Sequence, residues 1–186
     1  MRLFIAIEIP SQIRDALAAF VKELRSSAPH AKWVRAENLH VTLKFLGYTD
    51  AGNLAKVENS LRTVHSPQHV TLEFAGLGFF PNQKRPRVFW AGMNCSPNLP
   101  AVAKAIDRTM HQLGFPMENR PFTPHLTLAR FDPPGLPPKL AEAVTQNSSR
   151  NFGSLTTREF HLIESKLKPT GAEYTKLQSF PFAAET

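Results

Sequence analysis

A short segment that returns far along the chain sets the strongest limit on its architecture. His40-Val41-Thr42-Leu43 recurs as His125-Leu126-Thr127-Leu128, an offset of 85 residues (40 to 125). A third copy, His69-Val70-Thr71-Leu72, shows that the pattern alone does not choose its pair. A second similarity does: Arg2-Leu3-Phe4-Ile5-Ala6 resembles Arg87-Val88-Phe89-Trp90-Ala91, again at an offset of 85 (2 to 87). The chain reads as internally duplicated, with His40 and His125 at equivalent places in its halves.

At 186 residues the chain can build one substantial core, so one domain over 1–186, made of two similar and intertwined lobes, is the expected organisation. The 42% hydrophobic and 20% charged fractions are those of a soluble globular protein. No apolar run approaches the ~20 residues of a membrane span. The opening, Met1 to Pro10, carries Glu8 within its apolar stretch and lacks a signal-peptide layout. A single cysteine, Cys95, excludes an internal disulfide, and no zinc spacing is present. A reducing cytoplasm is the expected setting, with no membrane partner and a monomeric state. A net charge of +7 favours a polyanionic partner.

Hydrophobic periodicity divides the chain into alternating elements. Arg2 to Glu8 reads as a strand. Pro10 and Ser11 open a helix whose apolar face is Ile13, Leu17, Phe20, Val21 and Leu24. Leu39 to Leu46 reads as a strand ended by Gly47, followed by a helix from Ala51 to Val64. Val70 to Leu77 is a strand with a turn or bulge around Gly76 and Gly78. Pro81 to Pro86 is a basic loop, and Arg87 to Met93 a further strand. A helix with Val102, Ile106, Met110 and Leu113 follows, closed by Gly114. Phe122 to Arg130 contains the second motif strand. A short helix near Leu140 to Val144, a polar loop over Ser148 to Gly153, and strands Phe160 to Leu167 and Tyr174 to Phe182 complete the chain. The last two join through a turn at Pro169 to Gly171. Each half therefore reads strand, helix, motif strand, helix, strand, strand.

Side chains alternate faces along a strand, so His40 and Thr42 share one face while Val41 and Leu43 share the other. The second copy repeats this, with Leu126 and Leu128 inward. Two such strands, related by the duplication, bring two imidazoles and two hydroxyls into one groove. That inventory suits phosphodiester cleavage. One neutral histidine takes a proton from attacking water, and one protonated histidine gives a proton to the departing oxygen. Threonine hydroxyls donate to phosphate oxygens as charge develops. No metal and no cofactor is called for. An isolated His-x-Thr is more often an ordinary strand histidine, and His69 is such a case. Its motif is followed by Glu73, which parity puts on the same face, where a carboxylate would repel a phosphate.

At these residues the chain resembles the two-histidine phosphoesterase superfamily, and within it the RNA 2′,3′-cyclic phosphodiesterases, also called 2′-5′ RNA ligases (LigT-like). The resemblance covers nearly the whole chain. It includes Phe4-Ile5-Ala6-Ile7, Asn38-Leu39 before the first motif, Phe45-Leu46-Gly47 after it, Gly78-Phe79-Phe80-Pro81, and Thr123-Pro124 before the second motif. It implies a bilobal, pseudo-twofold α+β fold, with two antiparallel sheets flanking a central basic groove and helices packed outside. It implies hydrolysis of an RNA-terminal 2′,3′-cyclic phosphate to a 2′-phosphomonoester, tRNA fragments among the substrates, with reversible 2′-5′ ligation as a further activity. By family pattern His40 is the general acid, His125 the general base, Thr42, Thr127 and Arg130 the phosphate-binding residues, and Phe45 the base-stacking platform.

Strict alternation resists part of this. Phe45 and Arg130 lie five residues beyond their histidines and should face away from them, whereas Lys44 should face the groove. Either the strands bend after the fourth residue, or Phe45 is core and Arg130 surface. Lys84, Arg85 and Arg87 either track an RNA backbone or form a solvated loop, the latter being commoner. Trp33 and Trp90 read as core. Two other functions fit the same residues: a phosphodiesterase of this superfamily acting on 2′-5′ linkages or small cyclic nucleotides, and a non-catalytic RNA-binding module.

Overall fold

The computed structural model describes residues 1–169 and 171–182. Nine strands and four α-helices alternate among these residues: β1 Arg2–Glu8, α1 Ser11–Leu24, β2 Lys32–Trp33, β3 His40–Tyr48, α2 Leu54–Leu61, β4 Val70–Phe80, β5 Val88–Cys95, α3 Asn98–Gln112, β6 His125–Arg130, α4 Pro138–Gln146, β7 Asn151–Thr157, β8 Glu159–Lys168 and β9 Gly171–Pro181. They form two antiparallel sheets. The first has the order β3-β1-β8-β9 and the second β2-β6-β5-β4-β7. The two-sheet α+β architecture is the expected one.

The halves do not keep their strands to themselves. β4, from the first half, lies beside β5 in the second sheet, while β8, near the end of the chain, returns to pair with β1 and carries β9 on its other side. Helices cross over as well. α1 follows β1 of the first sheet yet packs on β7 of the second, with Phe20 and Phe152 rings 5.2 Å apart. α3 follows β5 of the second sheet and packs on β3 of the first. One continuous cluster of buried side chains draws on both sheets and all four helices, from Ile5 and Ile7 through Phe20, Val57, Phe89 and Ile106 to Leu140 and Phe180. Each such side chain contributes roughly 1.5–3 kcal/mol on burial.

Two expectations need correction. Residues 151–157 form a strand, β7, where a polar loop over Ser148 to Gly153 was expected. Its burial alternates weakly, Gly153 interrupts it at φ 114°, and its pairing with β4 is long-range, so the local pattern is faint. The second helix is shorter than expected: a 3-10 turn, Ala51–Asn53, leads into α2, which stops at Leu61. Within Phe122 to Arg130 the motif strand occupies His125–Arg130, as expected, because Pro121 and Pro124 keep the preceding residues out of the ladder. The expected turn over Pro169 to Gly171 includes Thr170, which lies outside the described residues.

A third correction concerns the repeat itself. Opposite residues in the ladders define equivalent positions: Phe4 pairs with Phe45, and Val88 pairs with Arg130. The first strands of the two units are thus offset by 84 residues (4 to 88), not 85. A slip of one residue exchanges the two faces of a strand. Phe4 therefore corresponds to Val88, while Phe89 lies in the core. The offset of 85 holds for the motif strands.

A bulge accounts for the parity conflict. Thr42 faces Ala6 and Lys44 faces Ile5, so Leu43 is an extra residue in β3. Thr127 faces Trp90 and Ala129 faces Phe89, so Leu128 is an extra residue in β6. Leu43 and Leu128 occupy the same place in the two motifs (offset 85). Each bulge resets the alternation, and the residue five after each histidine returns to the histidine's own face.

Candidate active site

His40 and His125 begin β3 and β6, the strands through which the two sheets approach, with Cα atoms of β3 and β6 within 8 Å. The same backbone device holds both rings. Nδ1 of His40 is 2.7 Å from the carbonyl oxygen of Asn38, and Nδ1 of His125 is 2.7 Å from that of Thr123. A carbonyl only accepts, so Nδ1 carries the proton and donates. The tautomer is fixed, and Nε2 is left on each ring to accept or give a proton. The Asn38 segment is itself tied to β9, its side-chain amide donating to the carbonyl of Ala172 at 2.7 Å.

Aromatic rings wall both imidazoles. Phe4 stands 4.6 Å and Tyr174 5.3 Å from His40, the latter edge-on. Phe80 meets His125 edge-on at 4.9 Å, with Trp90 behind it at 5.3 Å. Burial lowers the proton affinity of both histidines and outweighs the bonds to Asn38 and Thr123, which raise it. The positive charge of Arg130 lowers both further, and that of His125 lowers His40. Arg130 is thus within electrostatic reach of both rings. Among the described residues its guanidinium makes no ion pair or hydrogen bond.

Thr42 and Thr127 sit two residues beyond the histidines, before the bulges, on the same face and half-buried. Neither hydroxyl hydrogen-bonds to another described residue. Phe45 pairs with Phe4, its ring 6.0 Å from that ring, and is 62% exposed at the rim. The structure therefore brings His40, Thr42, Phe45, His125, Thr127 and Arg130 to one groove.

Lys44 does not join them. The Leu43 bulge turns it inward opposite Ile5, where it is 7% exposed. Its ammonium donates to Asp107 of α3 at 2.5 Å and to the carbonyl of Pro116 at 2.8 Å. It pins α3 to the back of β3 and puts no charge in the groove. His69 precedes β4, while Thr71 meets Thr156 and Glu73 accepts from Asn151. Lys84 and Arg85 are exposed in the loop between β4 and β5, their amides capped by Asn82 Oδ1. Trp33 packs edge-on against Phe89 as expected of a core residue. Trp90 does not: it pairs with Thr127 on the groove face, lying so close over Gly78 that any Cβ there would collide with its ring.

Tyr174 escaped the sequence reading. It lies on β9, far from either motif, and nothing in its neighbourhood marks it. Burial raises the proton affinity of its phenol, opposed by the positive charges of Arg130 and Arg2, so it stands between guanidiniums from both sheets. Among the described residues no three His, Cys, Asp or Glu side chains are grouped to hold a metal ion, and no helix is long and apolar enough to cross a membrane.

Residues 7–90 and 94–174 match the family described as LigT like Phosphoesterase. The chain is 37% identical over 180 residues to an RNA 2′,3′-cyclic phosphodiesterase of Archaeoglobus fulgidus, covering 97% of this chain and 99% of that protein. It is 33% identical over 181 residues to an RNA 2′,3′-cyclic phosphodiesterase of Methanothermobacter thermautotrophicus, covering 97% and 98%. The crystal structure of the protein TT0787 of Thermus thermophilus superposes with a TM-score of 0.81 at 28% identity, over 98% of each chain. That of E. coli LigT complexed with 3′-AMP superposes with a TM-score of 0.75 at 28% identity, over 97% of each chain.

Proposed function

This chain belongs to the LigT-like phosphoesterase family, and on that footing we propose that it is a metal-independent RNA 2′,3′-cyclic phosphodiesterase. The observation that carries this reading is the matched pair of Nδ1 contacts, 2.7 Å each, which leaves two Nε2 atoms for proton transfer in one groove. The names of the relatives supply the substrate class.

The cyclic phosphate lies between the two imidazoles, its oxygens held by the Thr42 and Thr127 hydroxyls and by Arg130. Neutral His125 takes a proton from water through Nε2 as the water oxygen attacks phosphorus. The bond from phosphorus to the 3′ oxygen breaks, and protonated His40 delivers its Nε2 proton to that oxygen. The products are a 3′ hydroxyl and a 2′-phosphomonoester. His40 ends neutral and His125 protonated, and exchange with solvent resets the pair. Arg130 stabilises the charge that builds on the equatorial oxygens, a role suited to its fork of donors. Phe45 stacks on the terminal base, since an exposed ring at the rim grips unpaired RNA without reading its sequence. With the 5′ hydroxyl of a second RNA end in place of water, the same proton transfers form a 2′-5′ phosphodiester and release the 3′ hydroxyl, which is the ligase reaction; run backwards, they cleave that linkage to the cyclic phosphate and a 5′ hydroxyl.

In the free protein both histidines hold protons weakly. An arriving phosphate anion offsets Arg130 and restores proton affinity to His40, so the acid form is assembled with its substrate. The deciding experiment is product analysis. RNA ending in a 2′,3′-cyclic phosphate, incubated in EDTA, is expected to yield only 2′-phosphate ends. A 3′-phosphate product would mean that the other oxygen leaves, and dependence on an added cation would remove the metal-independent mechanism.

A further inference from the structure

The groove does not end at Phe45. A second register shift follows the first: Phe45 faces Phe4 but Gly47 faces Leu3, which makes Leu46 another extra residue in β3. Alternation is reset once more, and Tyr48, three residues beyond Phe45, emerges on the same face opposite Arg2. Tyr48 is 84% exposed, and among the described residues its ring meets no other ring. Two exposed aromatic platforms thus follow one another along a single strand, two paired positions apart, which is about 7 Å. Arg2 stands beside the outer one. It acts electrostatically on Tyr174, so it faces the groove, and among the described residues it has no carboxylate partner.

Isolated exposed aromatics need no explanation. Two on one face, brought there by a bulge and flanked by an uncompensated guanidinium, match what unpaired nucleic acid requires: successive stacking surfaces beside a cation for the backbone. We propose that Tyr48 and Arg2 form a second nucleotide subsite, which receives the residue on the 5′ side of the terminal cyclic phosphate. The base stacks on Tyr48, and Arg2 holds the phosphodiester linking it to the terminal nucleotide. The substrate is accordingly an RNA chain rather than a mononucleotide. This rests on the reading of the groove as a cyclic phosphodiesterase site and adds a direction to it, with the RNA leaving along β3 rather than over the Lys84-Arg85-Arg87 loop.

The test compares a nucleoside 2′,3′-cyclic phosphate with a trinucleotide bearing the same end. Wild type is expected to show kcat/KM at least about tenfold higher on the trinucleotide, within the range of one base stack and one phosphate contact. Tyr48→Ala should lose about tenfold on the trinucleotide and nothing on the mononucleotide, while Tyr48→Phe keeps the preference. Arg2→Gln should reduce the preference and flatten its salt dependence. Equal losses on both substrates, or no loss on either, would overturn the subsite. So would a preference that survives these changes but disappears in Lys84→Glu/Arg85→Glu. If neither substrate turns over, the catalytic reading fails on its own. The subsite is then judged by affinity for a trinucleotide 2′-phosphate against a nucleoside 2′-phosphate in wild type and Tyr48→Ala.

Discussion

In β3 the bulge at Leu43 turns Phe45 outward onto the rim, beside Phe4; in β6 the bulge at Leu128 turns Arg130 into the field of both histidines. Up to that point the two strands are near copies. Each starts with a histidine whose Nδ1 meets a carbonyl two residues back at 2.7 Å, and each carries a threonine on the same face. Beyond the bulge they diverge in chemistry while keeping geometry. The sheets behind them diverge in a complementary way. The first sets small Ala6 against large His161, and the second sets large Trp90 against Gly78. The two strands share the backbone geometry that holds an imidazole by its Nδ1. The residue delivered by the bulge differs, and with it the proposed job: a flat apolar ring for a base on one side, a cationic fork for a phosphate on the other.

The comparison would break most visibly at the histidines. His40→Ala and His125→Ala are each expected to lower kcat by ~10²–10⁴-fold on a cyclic-phosphate RNA end, the range of general acid–base catalysis. If one variant keeps full activity in a stopped assay while the other is dead, the strands do not form one two-histidine site.

Arg130 and Phe45 sharpen it, because equivalent positions should fail differently. Arg130→Lys keeps the charge but loses the fork, and kcat should fall by roughly 10²-fold. Phe45→Ala should mainly raise KM, by about tenfold, as lost stacking does. Steady-state kinetics in which both variants move the same parameter would leave no division of labour. Arg130 also lowers the proton affinity of both histidines. In wild type the acid limb of kcat/KM should lie below the ordinary histidine value of about 6.5. Arg130→Gln removes a charge that disfavours protonation, so both histidine titrations should move to higher pH. NMR titration of the imidazoles in Arg130→Gln reads this directly, and a shift to lower pH would contradict the placement of the guanidinium.

Much of the architecture was legible because it is written in local periodicity. The apolar stripe of α1, from Ile13 to Leu24, and the alternation of His40 to Leu43 both specify their elements without help. The pair His40 and His125 was legible too, although one support for it was an accident: the similarity at Arg2 and Arg87 is out of register by one residue. What resisted reading depends on ladder partners. β7 exists because β4 offers it an edge. Tyr174 reaches His40 because β9 returns to the first sheet, a connection no local pattern records. The bulges leave no composition signal, since Leu43 and Leu128 look like ordinary inward-facing leucines.

Lys44 is where that blindness has the most definite consequence, and the test there expects the smallest effect on activity. Alternation from His40 aims it at the substrate; the ladder aims it at Asp107, with side chains 6% and 14% exposed. Lys44→Met keeps the apolar stem and removes the charge. A groove lysine replaced in this way would raise KM and weaken the salt dependence of RNA binding. A back-side lysine would leave both unchanged but leave the largely buried Asp107 carboxylate without its countercharge, held among the described residues only by the Glu118 amide, which costs about 3 kcal/mol. For a chain of this length that lowers Tm by roughly 6–12 °C. Unaltered kinetics with a lower Tm therefore locate the bulge at Leu43, and Lys44→Met/Asp107→Leu should recover much of the loss, because an apolar pair of similar volume removes the stranded charge. The equivalent residue in the other strand, Ala129, is already apolar and fully buried against Phe89. The second strand thus shows the inward position of this bulge filled without any charge, and the Lys44–Asp107 pair is a local fastening of α3 rather than part of the proposed two-histidine site.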